Sequence, residues 1–256
     1  MKTRDVKTIV FLAALLFAWT GSAHAQAPDS CDLPAYLLFS DSELKRVAQA
    51  VQDNKRLDIA VLGTASSALA GPDGGSSAYP ARLQAALSRR LPGVMVNVVS
   101  LAKSRRTTAD MAGELKKLLA EIKPALVLWQ TGTFDAIRGV DPAQFRETLE
   151  DGVADLQAGG ADVVLINMQY SPRTESMIHI AAYADSMRAV ARERDVPLFD
   201  RLALMRYWND VGAFDFYAAG KDRGLAVKVH DCLGRALAAL IFDAAKLEKP
   251  DGQAGQ

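Results

Sequence analysis

Five short apolar runs set the frame of this chain, at residues 57–62, 94–99, 125–129, 162–168 and 196–199. Each is rich in Val, Ile and Leu and is bounded by turn residues. Runs with no polar face suit parallel strands covered on both sides. Segments of helical periodicity separate them, at 79–90, 107–122, 142–158 and 174–193. A further helix at 42–52 precedes the first strand, and another at 232–247 closes the chain. Asp141-Pro142 places a capping residue before a proline at the first helical position. Leu91-Pro92-Gly93, Lys123-Pro124 and Gly159-Gly160 stop helices ahead of the second, third and fourth strands. Five strands alternating with helices predict one doubly wound, three-layer α/β/α domain around a five-stranded parallel sheet. Right-handed crossovers then put helices on both faces. No internal repeat and no linker interrupts the pattern. Ligands of such sheets bind at the carboxyl ends of the strands, which directs attention to loops 63–77, 100–107, 131–140 and 169–174.

The N-terminus carries a different signal. Lys2, Arg4 and Lys7 precede an apolar run over 9–19, and small residues follow to Ala23-His24-Ala25. This is the pattern of a secretory signal peptide cleaved between Ala25 and Gln26. The run is short of the ~20 apolar residues that span a bilayer, so an uncleaved anchor is the lesser alternative. No cysteine directly follows the cleavage site, and no other stretch is long enough to cross a membrane. The expected organisation is therefore a signal peptide over 1–25, a single domain over 26–247 and a flexible polar tail over 248–256, in a periplasmic or secreted protein. The chain has two cysteines, Cys31 and Cys232. In an oxidising compartment an isolated pair forms a disulfide, here tying an N-terminal arm to the last helix; two free buried thiols are the alternative.

Charge and motif content narrow the function classes. The chain carries 30 basic and 30 acidic residues, without the basic surplus of a nucleic-acid footprint. Lys103, Arg105 and Arg106 form a short cluster that reads as a solvated loop. There is no Gly-x-Gly-x-x-Gly turn, no Walker loop and no metal-ligand spacing, so no cofactor and no metal is expected. Partners reduce to a small molecule or a glycan, and the sequence leaves the oligomeric state open.

The loop after the first strand reads Gly63-Thr64-Ala65-Ser66-Ser67, and that after the third reads Trp129-Gln130-Thr131-Gly132-Thr133-Phe134-Asp135. With the segments "LVLWQTGT", "VVLINMQYSPR" and "LFDRLALMRYW", the chain resembles exported bacterial members of the SGNH/GDSL hydrolases over essentially its whole mature length. The resemblance implies a flavodoxin-like fold and hydrolysis of esters or acyl groups. It also implies a nucleophilic serine two residues beyond the turn glycine and an oxyanion-hole glycine after the second strand. A Gly-x-Asn-Asp element after the third strand and an Asp-x-x-His pair before the last helix complete the pattern.

Taken position by position, the catalytic pattern is altered. With Gly63 as the turn glycine, the nucleophile position falls on Ala65; Ser66 and Ser67 follow it. A shift of one residue on a tight turn redirects the side chain, so Ser66 is the candidate nucleophile and a backbone-bonded loop serine is its plainer alternative. The oxyanion glycine falls near Ala102 or Lys103, where there is no glycine. Gly132-Thr133 is retained, Phe134 replaces the asparagine, and Asp135 remains, either capping the next turn or facing a polar pocket. The mature histidines are His179, within a helical segment, and His230. If His230 is the base, its orienting aspartate falls on Val227. A second register, aligned on Cys232-Leu233-Gly234, puts the Asp-His pair on Lys221 and Gly224 and leaves no base.

Losing one oxyanion donor costs ~10²–10³-fold in rate, and losing a nucleophile or base leaves residual catalysis alone. The leading expectation is a hydrolase fold with a degraded site that binds a ligand, an acylated envelope glycan by analogy, with little or no turnover. The alternatives are an active ester hydrolase using Ser66 and His230, and a structural envelope protein with a closed cleft.

Overall fold

The structure is a computed structural model and describes residues 31–217 and 223–247. The expected signal peptide, the tail and Lys221 lie outside the described residues. After a 3₁₀ turn at Ala35–Leu37, the elements run α1 Lys45–Asn54, β1 Arg56–Leu62, α2 Gly74–Ser77, α3 Tyr79–Arg90, β2 Met95–Ser100, α4 Thr108–Ala112, α5 Leu115–Ile122, β3 Leu126–Gln130, α6 Thr133–Arg138, α7 Pro142–Ala158, β4 Asp162–Ile166, α8 Pro172–Glu175, α9 Ala181–Glu193, β5 Leu198–Phe199, α10 Arg201–Asp210 and α11 Arg223–Ala244. All five expected strands are present, all parallel, in the order β2-β1-β3-β4-β5.

That order follows from handedness. The step from β1 to β2 runs one way along the sheet, and every later step runs the other way. Right-handed crossovers therefore put α3 on one face and the helices after β2, β3 and β4 on the opposite face. Contacts agree: α3 packs against α11, and α7 packs against α5 and α9. Strands β1 and β3 are buried over most of their length, Leu57, Ile59–Leu62 and Leu126–Trp129 being almost entirely shielded from solvent, as continuous apolar runs require.

Local sequence explains the helices. Asp141 caps α7, its Oδ1 accepting from the amides of Ala143 and Gln144 at 2.9 and 3.1 Å, with Pro142 at the first helical position. Phe145, Leu149, Gly152, Val153 and Leu156 of α7 are buried at helical spacing. The expected helix over 107–122 is two helices, because Gly113 ends α4 and the chain turns before α5. The expected helix over 174–193 is likewise broken. Ser171 caps the short α8, and α9 starts at Ala181, which leaves His179 exposed on the intervening loop and not on a helix. The last helix starts at Arg223, well before Cys232, so His230 and Gly224 both lie on α11. Helix α10, capped by Asp200 through the Ala203 amide at 3.0 Å, was not foreseen.

Helix α11 is the keystone of its layer. A Cβ at Gly234 would come within 2.6 Å of Arg82 Cβ and 2.8 Å of the Leu83 amide nitrogen on α3, so only glycine lets the two helices approach this closely. The adjacent Cys232 is bonded to Cys31, with Cα atoms 5.1 Å apart across a sequence separation of 201, as expected. Among the described residues no helix is long and apolar enough to cross a membrane.

Two outcomes follow for stability. Replacing Cys31 and Cys232 by serine and alanine is expected to remove about 2–4 kcal/mol, seen as a fall in Tm of roughly 5–15 °C matched by adding reductant to the parent chain. Gly234→Ala is expected to cost about 1–3 kcal/mol through overpacking, measured by urea unfolding.

Candidate functional site

The strand order reverses between β1 and β3, and this switch point is where open α/β sheets form their cleft. Two pieces of chain meet there. The 3₁₀ turn Ala65–Ser67 follows β1, and Gln130 is the last residue of β3. The Gln130 carboxamide is fully buried and is spent on the turn. Its Nε2 donates to Ser66 Oγ at 2.7 Å and to Thr64 Oγ1 at 3.1 Å, and its Oε1 accepts from Ser67 Oγ. A buried carboxamide must satisfy both its ends, and three hydroxyl residues of one turn, Thr64, Ser66 and Ser67, supply the partners. Sequence reading passed over Gln130, although a polar residue closing the apolar run "LVLW" was the available signal.

The two serines differ in what they can do. Ser67 is 1% exposed, donates to Gln130 and accepts from the Tyr79 hydroxyl at 3.2 Å, so its hydroxyl is occupied as both donor and acceptor. Burial pushes the Tyr79 phenol up, keeping it protonated as that donor. Ser66 is half-buried and its Oγ accepts from Gln130 and, at 3.4 Å, from Arg201 Nη1. Thr64 Oγ1 lies 3.5 Å away. Ala65 is exposed on the same turn.

Arg201, the first residue of α10, was also missed. It is 1% exposed, reaches the Ser66 carbonyl oxygen at 3.1 Å and Gln169 Oε1 at 3.3 Å, and lies over the Tyr79 ring at 5.8 Å. The neighbouring Asp200 does not neutralise it. That carboxylate accepts from Asn167 and the Ala203 amide and pairs with Arg188 at 2.8 Å. Desolvation pulls the Arg201 guanidinium down to about 10, still charged at neutral pH.

His230 has a defined role. Its Nδ1 accepts the Tyr79 amide at 3.0 Å, satisfying an N–H at the start of α3 that has no helical partner. A nitrogen that accepts carries no proton, so the neutral ring holds its proton on Nε2. Burial first, and the charge of Arg201 second, pull the imidazole down to about 3. Among the described residues no hydrogen bond joins His230 to Ser66.

The remaining expected residues form a separate cluster. Gln130 and Thr131 are successive, so their side chains diverge. Thr131 Oγ1 and Thr108 Oγ1 lie 2.6 Å apart, and both reach Asp135 Oδ2, at 3.4 and 3.2 Å. The Thr108 amide donates to Asp135 Oδ1 at 2.8 Å. Burial pushes the Asp135 carboxyl up, against the lowering effect of hydrogen bonds that include the Gly132 amide. Gly132 has φ +96°, in the region that favours glycine, and a Cβ there would meet Met168 Sδ at 2.6 Å. Phe134 is half-buried, and Thr133 Oγ1 is buried without a partner. A cavity of about 150 Å³ lies beside Asp135, lined by Thr107, Thr108, Gln144, Phe145 and Thr148 among others. The Lys103 amide, near the expected oxyanion position, donates to the Gly63 carbonyl oxygen at 3.1 Å. Among the described residues no group of His, Cys, Asp and Glu is arranged to hold a metal.

A five-stranded parallel sheet with a hydroxyl-rich turn at its switch point places the protein in the SGNH/GDSL hydrolase class. The model of the Non-GDSL lipase-like family matches residues 30–247, and the chain belongs to that family. Esterase TesA of Pseudomonas aeruginosa is 35% identical over 142 residues, 54% of this chain and 67% of the esterase. Thioesterase 1/protease 1/lysophospholipase L1 of Escherichia coli K12 is 28% identical over 123 residues, 48% of this chain; the match spans only 56% of that relative. The crystal structure of TesA superposes with a TM-score of 0.58 at 28% identity, covering 73% of this chain and 99% of TesA. A lipase/acylhydrolase from Enterococcus faecalis, at 19% identity and TM-score 0.59 over 77% of this chain and all of its own, shares the fold.

The state of His230 is testable by titration. The folded ring stays neutral to about pH 3, whereas the unfolded ring takes up a proton below about pH 6.5. Between those values the unfolded state binds more protons, so this contribution is full above pH 6.5 and is lost as pH falls toward 3. His230→Asn, whose carbonyl can still accept the Tyr79 amide, is expected to flatten this loss. The difference between the two stability curves should reach about 2–5 kcal/mol, measured by urea unfolding at stepped pH.

Proposed function

We propose that this is an exported member of its family that uses the cleft at Ser66 to bind a small ligand or an acylated envelope glycan, with little or no turnover. The observation that carries the reading is at Ser66. Its hydroxyl is surrounded by donors, Gln130 Nε2 and Arg201 Nη1, and no described carboxylate or imidazole bonds to it. A serine nucleophile needs an adjacent base, and His230 faces the Tyr79 amide with its basic nitrogen. The methyl group of Ala65 at the expected nucleophile position, and a Lys103 amide already given to Gly63, support the same conclusion. Export is supported by the N-terminal pattern and by the Cys31–Cys232 bridge.

Ester hydrolysis by Ser66 and His230 is the second reading. It draws on the same two donors at Ser66 Oγ, which would stabilise an alkoxide, and on the esterase named among the relatives. The two readings separate cleanly. The purified full chain is expected to turn over p-nitrophenyl acetate and butyrate no faster than its Ser66→Ala variant, and to resist stoichiometric labelling by a fluorophosphonate. Turnover abolished by Ser66→Ala, or full labelling at Ser66, would overturn the binding reading in favour of the enzyme.

A further inference from the structure

Arg201 presents an imbalance that the fold does not resolve. Its guanidinium is 1% exposed, yet every described partner is neutral: the Ser66 carbonyl and hydroxyl oxygens at 3.1 and 3.4 Å, Gln169 Oε1 at 3.3 Å, and the Tyr79 ring face. Charge-assisted hydrogen bonds settle at about 2.7–2.9 Å, so all three contacts are long. Among the described residues the buried Nε atom has no hydrogen-bond partner. The nearest carboxylate in sequence, Asp200, is committed to Arg188. Burying an unpaired charge is among the most unfavourable things a fold can do, and a planar guanidinium under-bonded on two edges is built for a planar, bidentate anion.

Two partners of Arg201, Ser66 and Gln169, are themselves only half-buried. Gln169 is neutral, and its Oε1 sits where one oxygen of a carboxylate would sit. One cation calls for one negative charge: a phosphate dianion would leave the buried site with a net negative charge, and an uncharged ester would leave the cation unpaired. We propose that Arg201 is the recognition residue of a carboxylate-binding site. A carboxylate monoanion enters between Ser66 and Gln169, displaces the Gln169 carboxamide and pairs with the guanidinium. This deepens the binding reading above and rests on it: the cleft prefers a free carboxylic acid, or a carboxylate carried on a glycan, to the ester a hydrolase of this fold would take.

The test uses the purified full chain in thermal unfolding with butyrate and glucuronate as probes. Methyl butyrate, inorganic phosphate and chloride at matched ionic strength are the controls. Butyrate or glucuronate is expected to raise Tm by about 3–6 °C at ~10-fold excess over its dissociation constant, and the controls by much less. The two probes distinguish a free acid from a sugar carboxylate. Arg201→Met is expected to abolish that response while leaving the ligand-free Tm unchanged or higher, because removing an unpaired buried charge is not destabilising. A purely structural arginine gives the opposite result, a large fall in ligand-free Tm, and so overturns the proposal. It is equally overturned by phosphate or chloride matching the carboxylates, or by a response that survives in Arg201→Met. Gln169→Ala keeps Arg201 and removes the side chain to be displaced, so it covers the case in which Arg201→Met does not fold. It is expected to strengthen the carboxylate response several-fold, and an unchanged or weaker response counts against the site. Ester turnover that depends on Ser66, alongside an Arg201-dependent carboxylate response, would remove the binding-only reading and leave the carboxylate site standing.

Discussion

The carboxamide of Gln130 at the end of β3 holds the turn after β1 in place, and the character of the cleft depends on that clamp. Three hydroxyl residues within four positions cannot all be left unpaired at the end of a sheet, where each unsatisfied group costs about 1–3 kcal/mol. Gln130 serves Thr64, Ser66 and Ser67 at once, and Tyr79 completes Ser67. The arrangement is possible because β1 and β3 are paired neighbours, with Leu62 opposite Trp129, so the turn and the carboxamide are adjacent by register. The consequence is chemical. A serine hydroxyl that receives two donors is held as an acceptor, and its proton has no base within hydrogen-bond reach among the described residues.

The two buried nitrogenous side chains of this region constrain one another. Arg201 lies over one part of Tyr79, whose ring centroid is 5.9 Å from that of His230. A second positive charge in this volume is strongly disfavoured, and Arg201 contributes to the lowered imidazole. The fold therefore keeps the guanidinium charged and the imidazole neutral. A Ser-His mechanism starts from a neutral histidine and makes it positive as the nucleophile attacks. Burial first, and Arg201 beyond the carboxyl end of β5 second, oppose imidazolium formation at His230.

How much of this was legible in the sequence depends on the range of the interactions. The five strands and helices α3 and α7 were readable because an apolar run, a capping Asp141-Pro142 or a stop at Lys123-Pro124 acts locally. Helix breaks at Gly113 and around His179 were less so, because a periodic pattern such as Thr108, Met111, Leu115 and Leu118 continues across a bend. The Cys31–Cys232 pair was legible from the count of two cysteines and the expectation of export. Gln130 and Arg201 were not singled out, since burial of a polar residue is decided by partners 64 and 135 positions away. The motif after β3 looked like one site and is two, because strand alternation sends Gln130 toward the serine turn and Thr131 toward Asp135.

The scaffold and the serine turn are held by separate sets of interactions. The scaffold is held by groups remote from the turn: the apolar faces of β1 and β3, the Gly234 contact between α11 and α3, and the bridge at Cys232. None of these requires a nucleophile, an oxyanion donor or a base. His230 belongs to the scaffold side, since its imidazole closes a backbone amide at the start of α3. Using that same nitrogen as a base would cost α3 a hydrogen bond. The start of α3 and any role as a base therefore compete for one nitrogen of this histidine.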